Sequence, residues 1–153
     1  MNFYLAGYGA YWPNSEYPDG KIVSVIDDVN WSFSNQKFVQ FISELEKYSK
    51  WSYSGESELL LIELKNGILS YKNVMLFHLD NMIRDNVIQS IHLFFEQLFR
   101  ICANKETMNQ ISNALGNNKL KQISKEKILE NIPLEMGKVF MQQKYFCVKN
   151  IQA

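Results

Sequence analysis

Glu58-Leu59-Leu60-Leu61-Ile62-Glu63-Leu64-Lys65, then Asn66-Gly67, then Ile68-Leu69-Ser70-Tyr71 and on to Leu79 is the stretch whose reading decides the fold. Asn-Gly between two apolar runs is the strongest short-range hairpin signal, because both central residues of a type I′ turn need positive φ and these two tolerate it. A two-residue loop also dictates pairing. Lys65 should face Ile68, Leu64 face Leu69, Ile62 face Tyr71 and Leu60 face Asn73. One side of the hairpin then carries Leu60, Ile62, Leu64, Leu69, Tyr71 and Met75. The other carries Glu63, Lys65, Ser70 and Lys72 near the turn, and Leu59, Leu61, Val74 and Leu76 further away. The turn end is expected to have one wet face, the far end to be covered on both, and the hairpin to lie centrally in its sheet. Lys72-Asn73 is the weak point, where a bulge or second turn would restart the strand at Val74.

Upstream, the chain is crowded with rings: Phe3, Tyr4, Tyr8, Tyr11, Trp12 and Tyr17, punctuated by Gly7, Gly9, Pro13, Pro18 and Gly20. Pro18-Asp19-Gly20 reads as a turn. Short strands are expected near 3–8 and over 21–26, where Ile22, Val23, Val25 and Ile26 are β-branched. Ser34 or Asn35 can cap a helix over 35–49, whose apolar stripe is Phe38, Phe41, Ile42, Leu45 and Tyr48. Downstream of the hairpin, Val87, Ile88, Ile91, Phe94, Phe95, Leu98, Phe99 and Cys102 give one long helix, near 82–103, a wide apolar face. A shorter helix over 105–115 should close at Gly116-Asn117-Asn118. Another over 124–130 should stop before Pro133, and a last strand should lie near 145–148, with Val139 as its earliest start. The order of elements specifies an α+β fold: a central, mainly antiparallel sheet packed by helices, in a single domain spanning 1–153.

Composition agrees. The 153 residues are 46% apolar and 21% charged, the balance of a globular protein. No run approaches the roughly 20 apolar residues that span a bilayer, so no membrane partner is expected. The opening Met1-Asn2-Phe3-Tyr4-Leu5 lacks a basic segment and a cleavable apolar core, which points to the cytoplasm. Cys102 and Cys147 stand far apart in no metal-ligand spacing, as reduced thiols do. Net charge is zero but unevenly spread: residues 1–64 hold nine acidic and four basic side chains, residues 65–153 seven and twelve.

Motifs with chemistry in them are few. Glu63-Leu64-Lys65, with Pro18-Asp19 upstream, resembles the Pro-Asp…Glu-x-Lys pattern of a nuclease superfamily, in which a carboxylate holds Mg²⁺ and an ammonium stabilises developing charge. Here the triplet abuts a hairpin turn and Asp19 sits in a turn of its own, so surface charge accounts for both. His92 and Glu96 share a helix face but lack a third ligand. Lys119, Lys121, Lys125 and Lys127 make a basic run without interleaved rings, read as a solvated helix face rather than a nucleic-acid contact. No catalytic residue, cofactor or metal site is therefore assigned, and no small-molecule ligand is expected. What stands out is aromatic: thirteen of the twenty-one rings, including every Trp, fall within residues 1–53. Rings beside carboxylates are how binding hot spots are built. The group comprises Tyr11, Trp12, Glu16, Tyr17 and Asp19, with Trp51, Tyr53 and Glu56 in the loop before the hairpin.

Trp51-Ser52-Tyr53-Ser54-Gly55-Glu56-Ser57-Glu58-Leu59-Leu60-Leu61-Ile62 and the helix over 87–103 resemble the immunity proteins of bacterial contact-dependent growth inhibition and related polymorphic toxin systems. The resemblance covers about a third of the chain. It implies a non-enzymatic cytoplasmic protein that binds one cognate toxin domain, often a nuclease, and blocks its active or substrate-binding surface. The alternatives are a metal-dependent nuclease using Glu63 and Lys65, or a non-catalytic subunit of another complex.

Overall fold

A computed structural model describes residues 4–12, 16–88, 90–105, 107–118 and 144–153. The fold is α+β. Two compact units divide the chain, Met1–Tyr53 with Ala153, and Ser54–Gln152. In place of one central sheet, the described residues form two antiparallel sheets of three strands, one in each unit.

The first unit contains β1 (Tyr8–Ala10), β2 (Lys21–Ile26), β3 (Val29–Phe33) and α1 (Asn35–Tyr48), with sheet order β1-β3-β2. β1 starts at the residue where the first expected strand should end. β3 is additional to the expected strands, although Val29-Asn30-Trp31-Ser32-Phe33 alternates strictly. Its turn is Asp27-Asp28, both at positive φ (49° and 61°), the conformation that Asn-Gly adopts more cheaply. Ser34 is the N-cap of α1: its Oγ accepts the Lys37 N–H at 3.1 Å. The apolar stripe of α1 is narrower than its spacing suggests. Leu45 is buried and Phe38 and Ile42 half-buried, but Phe41 and Tyr48 are exposed. Partly exposed rings contact one another along this unit. Tyr8 meets Phe33 at 4.9 Å between centroids, Phe33 meets Phe38 at 6.1 Å, and Phe38 meets Tyr53 edge-on at 5.5 Å.

The second unit is built on the hairpin, β4 (Glu58–Lys65) and β5 (Ile68–His78), with β6 (Phe146–Lys149) on the far side of β5. Asn66 and Gly67 have φ of 53° and 78°, and Lys65↔Ile68 and Leu64↔Leu69 pair as the turn requires. Beyond Glu63↔Ser70 the expected register fails. Leu61 faces Met75 and Leu60 faces Leu76, so Ile62 does not face Tyr71, nor Leu60 Asn73. The irregularity falls at Tyr71–Asn73, and the strand resumes its pairing beyond it. Leu59, Leu61, Met75 and Phe77 thereby share one face and the core. Val74 and Leu76, on the opposite face, are buried as well, so the far end of β5 is covered on both sides. The turn end is exposed on both: Leu64, Ile68 and Leu69 all lie open.

The single helix expected near 82–103 is two. α2 (Leu79–Arg84) ends in a Schellman motif: Asn86, at φ 55°, donates its N–H to Ile83 O, and Val87 donates to Met82 O at 2.8 Å. Ser90 then caps α3 (Ile91–Ala103) by accepting the Leu93 N–H at 3.2 Å. Val87 and Ile88 are buried from the connection rather than from a helix. α4 (Met108–Asn118) runs through Gly116-Asn117-Asn118 instead of closing there. The expected helix over 124–130, the lysine run 119–127 and a strand start at Val139 lie outside the described residues. Phe94, Leu98, Met108, Ile111, Leu115 and Phe146 complete the core around Phe77, which packs edge-on to Phe94 at 5.4 Å and stacks on Phe146 at 5.8 Å. Leu98 is 1% exposed and Leu64 58%. Leu98→Ala should therefore cost about 3 kcal/mol or more, and Leu64→Ala less than about 0.5 kcal/mol. Urea titration of the two variants distinguishes them.

Candidate interaction site

The ring-rich segment folds back on its own sheet. Tyr11 takes φ 59°, a left-handed conformation that a bulky side chain rarely adopts, and its ring is 83% exposed. The reversal returns Trp12 to β1, where its indole occupies the space above Gly9: a Cβ built there would lie 1.9 Å from Trp12 Cε2. A side chain at position 9 would therefore have to displace the indole. Tyr17 stacks on Trp12 at 4.1 Å with 14° between ring planes, and Lys37 Nζ lies 5.1 Å from the Tyr17 ring centroid. Glu16, one residue before, is exposed. Trp12 and Tyr17 therefore form one stacked pair, with the exposed Tyr11 ring next to Trp12 in the chain and Glu16 next to Tyr17.

Asp19 has another role. Its Oδ2 accepts the Gln36 N–H at 2.9 Å and its Oδ1 accepts the Ser34 hydroxyl at 2.6 Å. These donors, the Gln36 N–H above all and then the Ser34 hydroxyl, hold the carboxyl below its usual range. Ser34 is fully buried, and its own N–H donates to Gly7 O at 2.9 Å. Asp19 thus ties the turn that follows Tyr17 to the N-terminus of α1, where a negative charge also meets the helix dipole favourably. Trp51, 7% exposed, is interior, 6.2 Å from Tyr53 between centroids. The Tyr53 ring is half-buried, and its N–H donates to Glu46 Oε1 at 2.9 Å. Glu56 is exposed and belongs to the second unit. Sequence spacing reveals neither Gly9 as the seat of Trp12 nor Lys37 as a neighbour of Tyr17. Both depend on the chain reversal at Tyr11.

The groups considered for chemistry are engaged elsewhere. Glu63 is half-buried rather than wet, and pairs with Lys65 at 3.0 Å along the same strand. Glu96 is paired with Arg100 at 2.5 Å, one helical turn from the exposed His92. Across the β4–β5 pairing, His78 Nδ1 lies 3.4 Å from Glu58 Oε1. Burial pushes the Cys102 and Cys147 thiols up, away from the thiolate, and neither is in a disulfide. Among the described residues no cluster of three or more His, Cys, Asp or Glu side chains could hold a metal ion. No described helix is long and apolar enough to cross a membrane.

Comparison with protein-family models, with curated proteins and with solved structures finds no match to this chain.

Two tests bear on this geometry. Because the folded carboxyl of Asp19 is depressed, its stabilisation is fully present above the unfolded value near 3.8 and is lost as pH falls through the folded one. Thermal melts of Asp19→Asn should fall below wild type at neutral pH, and the two curves should converge in acid. Gly9→Ala should displace the Trp12 indole, read as a red shift in tryptophan emission with the far-UV spectrum unchanged.

Proposed function

We propose that this chain is a protein-binding module of the immunity type, which neutralises a cognate toxin domain in the cytoplasm by covering its active or substrate-binding surface. The observation that carries this reading is the Trp12–Tyr17 stack beside the exposed, left-handed Tyr11. A left-handed backbone at a bulky, exposed tyrosine is costly to hold, and such strain persists where surrounding structure demands it, often at sites of recognition. Beside it two stacked rings supply a rigid apolar platform with little entropy left to lose on binding. Tyr and Trp dominate interface hot spots for this reason.

Charge supports the same reading. Glu16 is exposed beside the platform, and Asp27 and Asp28 are exposed at the tip of the β2–β3 turn in the same unit. A nucleic-acid-binding toxin domain presents a basic surface, which acidic groups around an aromatic anchor would steer and orient. In this account Tyr11 and Trp12 are the anchors, Tyr17 backs Trp12, and Glu16 sets orientation. Asp19 holds the platform in place without meeting the partner.

The test is co-expression with the protein encoded immediately upstream, followed by affinity capture and calorimetry. Tyr11→Ala and Trp12→Ala should each weaken the complex by about 2 kcal/mol or more, and association should slow as salt rises. If the neighbour does not bind and cells intoxicated by it are not rescued, the reading fails.

A further inference from the structure

β2 lies at one edge of the first unit's sheet, with β1 at the other, and it is unusually bare. All six of its residues are exposed; Ile22 and Val25 are 61% exposed, and Val23 and Ile26 are exposed more than half. Among the described residues no strand pairs with its outer side. An exposed outer strand of β-branched residues offers unpaired N–H and C=O groups and apolar side chains together, which is a template for another strand.

One feature of β2 says which strand: its order of residues. Lys21-Ile22-Val23-Ser24-Val25-Ile26-Asp27 reads almost alike in both directions about Ser24, except that a cation stands at one end and an anion at the other. Laid antiparallel on a copy of itself, the strand sets Ile22 near Ile26, Val23 near Val25, and Lys21 at the partner copy's acidic end, the turn that follows β2. The two-fold axis repeats that opposite-charge pair at both ends. Pairing with β3 steps from Ile22↔Ser32 to Ser24↔Trp31, leaving Val23 as an extra residue, and under a two-fold axis near Ser24 that residue in each copy lies opposite Val25 of the other copy.

We propose that two copies of this chain associate through β2, antiparallel across a two-fold axis near Ser24, joining their three-stranded sheets into one of six strands. The partner is the chain itself rather than a foreign peptide, because the apolar residues of β2 are symmetric about Ser24 and its ends carry opposite charges, so a second copy laid antiparallel matches apolar to apolar and Lys21 to Asp27. The inference does not rest on the immunity reading, although the acidic turn after β2 serves both.

Sedimentation of the full chain over a concentration series tests it. Wild type should pass from monomer to dimer. Val25→Lys, at a position already open to solvent, places like charges close to the two-fold axis and should raise the dimer dissociation constant about tenfold or more, with the far-UV spectrum of the folded chain unaltered. Ser24→Cys should trap a dimer through a chain-to-chain disulfide under mild oxidation, beyond any seen for wild type. A wild-type chain that remains monomeric at every concentration overturns the proposal, as does a dimer that persists in Val25→Lys. If Val25→Lys fails to fold, the trapping decides: a Ser24→Cys chain that oxidises without forming a dimer overturns the proposal, and one that forms it supports it.

Discussion

Between Glu63↔Ser70 and Leu61↔Met75, β4 advances two positions while β5 advances five, and the core of the second unit depends on that difference of three. Because side chains alternate along a strand, an odd displacement exchanges the faces. Had the register of the turn continued, Leu61 would face Lys72 and Met75 would face Glu58. With the displacement, Leu61 and Leu59 lie opposite Met75 and Phe77, and the four residues meet Phe94, Leu98 and Phe146. Glu58 instead meets His78, whose Nδ1 lies 3.4 Å from its Oε1. The polar pair Lys72-Asn73 is exposed where the extra residues are accommodated. The bulge is therefore what lets a polar break sit inside an eleven-residue strand without burying it.

The first unit has a different kind of centre. Ser34 is buried with its hydroxyl shared between Asp19 and the Lys37 N–H, and its backbone N–H given to Gly7. A single residue thus fastens the turn after the ring cluster, the approach to β1 and the start of α1. Around it, partly exposed rings contact one another in series, from Tyr8 through Phe33 and Phe38 to Tyr53. Outside that series Val39, Phe41 and Tyr48 on α1 lie exposed, as do the aliphatic residues of β2.

Local signals are legible in the sequence and non-local ones are not. Asn66-Gly67 announces its turn, Lys21–Ile26 its strand and Ser34 its cap, because each depends on backbone preferences within a few residues. The polarity of Lys72-Asn73 marks where β5 is displaced, but the size of the displacement follows from which side chains the helices cover. The break between α2 and α3 is hidden because the apolar spacing runs through it. Asn86 ends α2 by adopting a left-handed conformation, which spacing does not encode. Of the candidate site, the cluster of rings is visible, but their division is not. Composition does not distinguish Trp12 from Trp51; only the fold shows Trp51 inside and Trp12 lying on Gly9.

On the reading proposed above, recognition belongs to the Tyr11–Tyr17 segment while the Asn66-Gly67 end of the hairpin is scaffold. Hydrogen–deuterium exchange of the full chain, with and without the protein encoded upstream, tests this most directly. Slowed exchange is expected for residues 8–20 in the complex, and unchanged exchange for residues 64–69. Protection confined to residues 64–69, with none over 8–20, would contradict it.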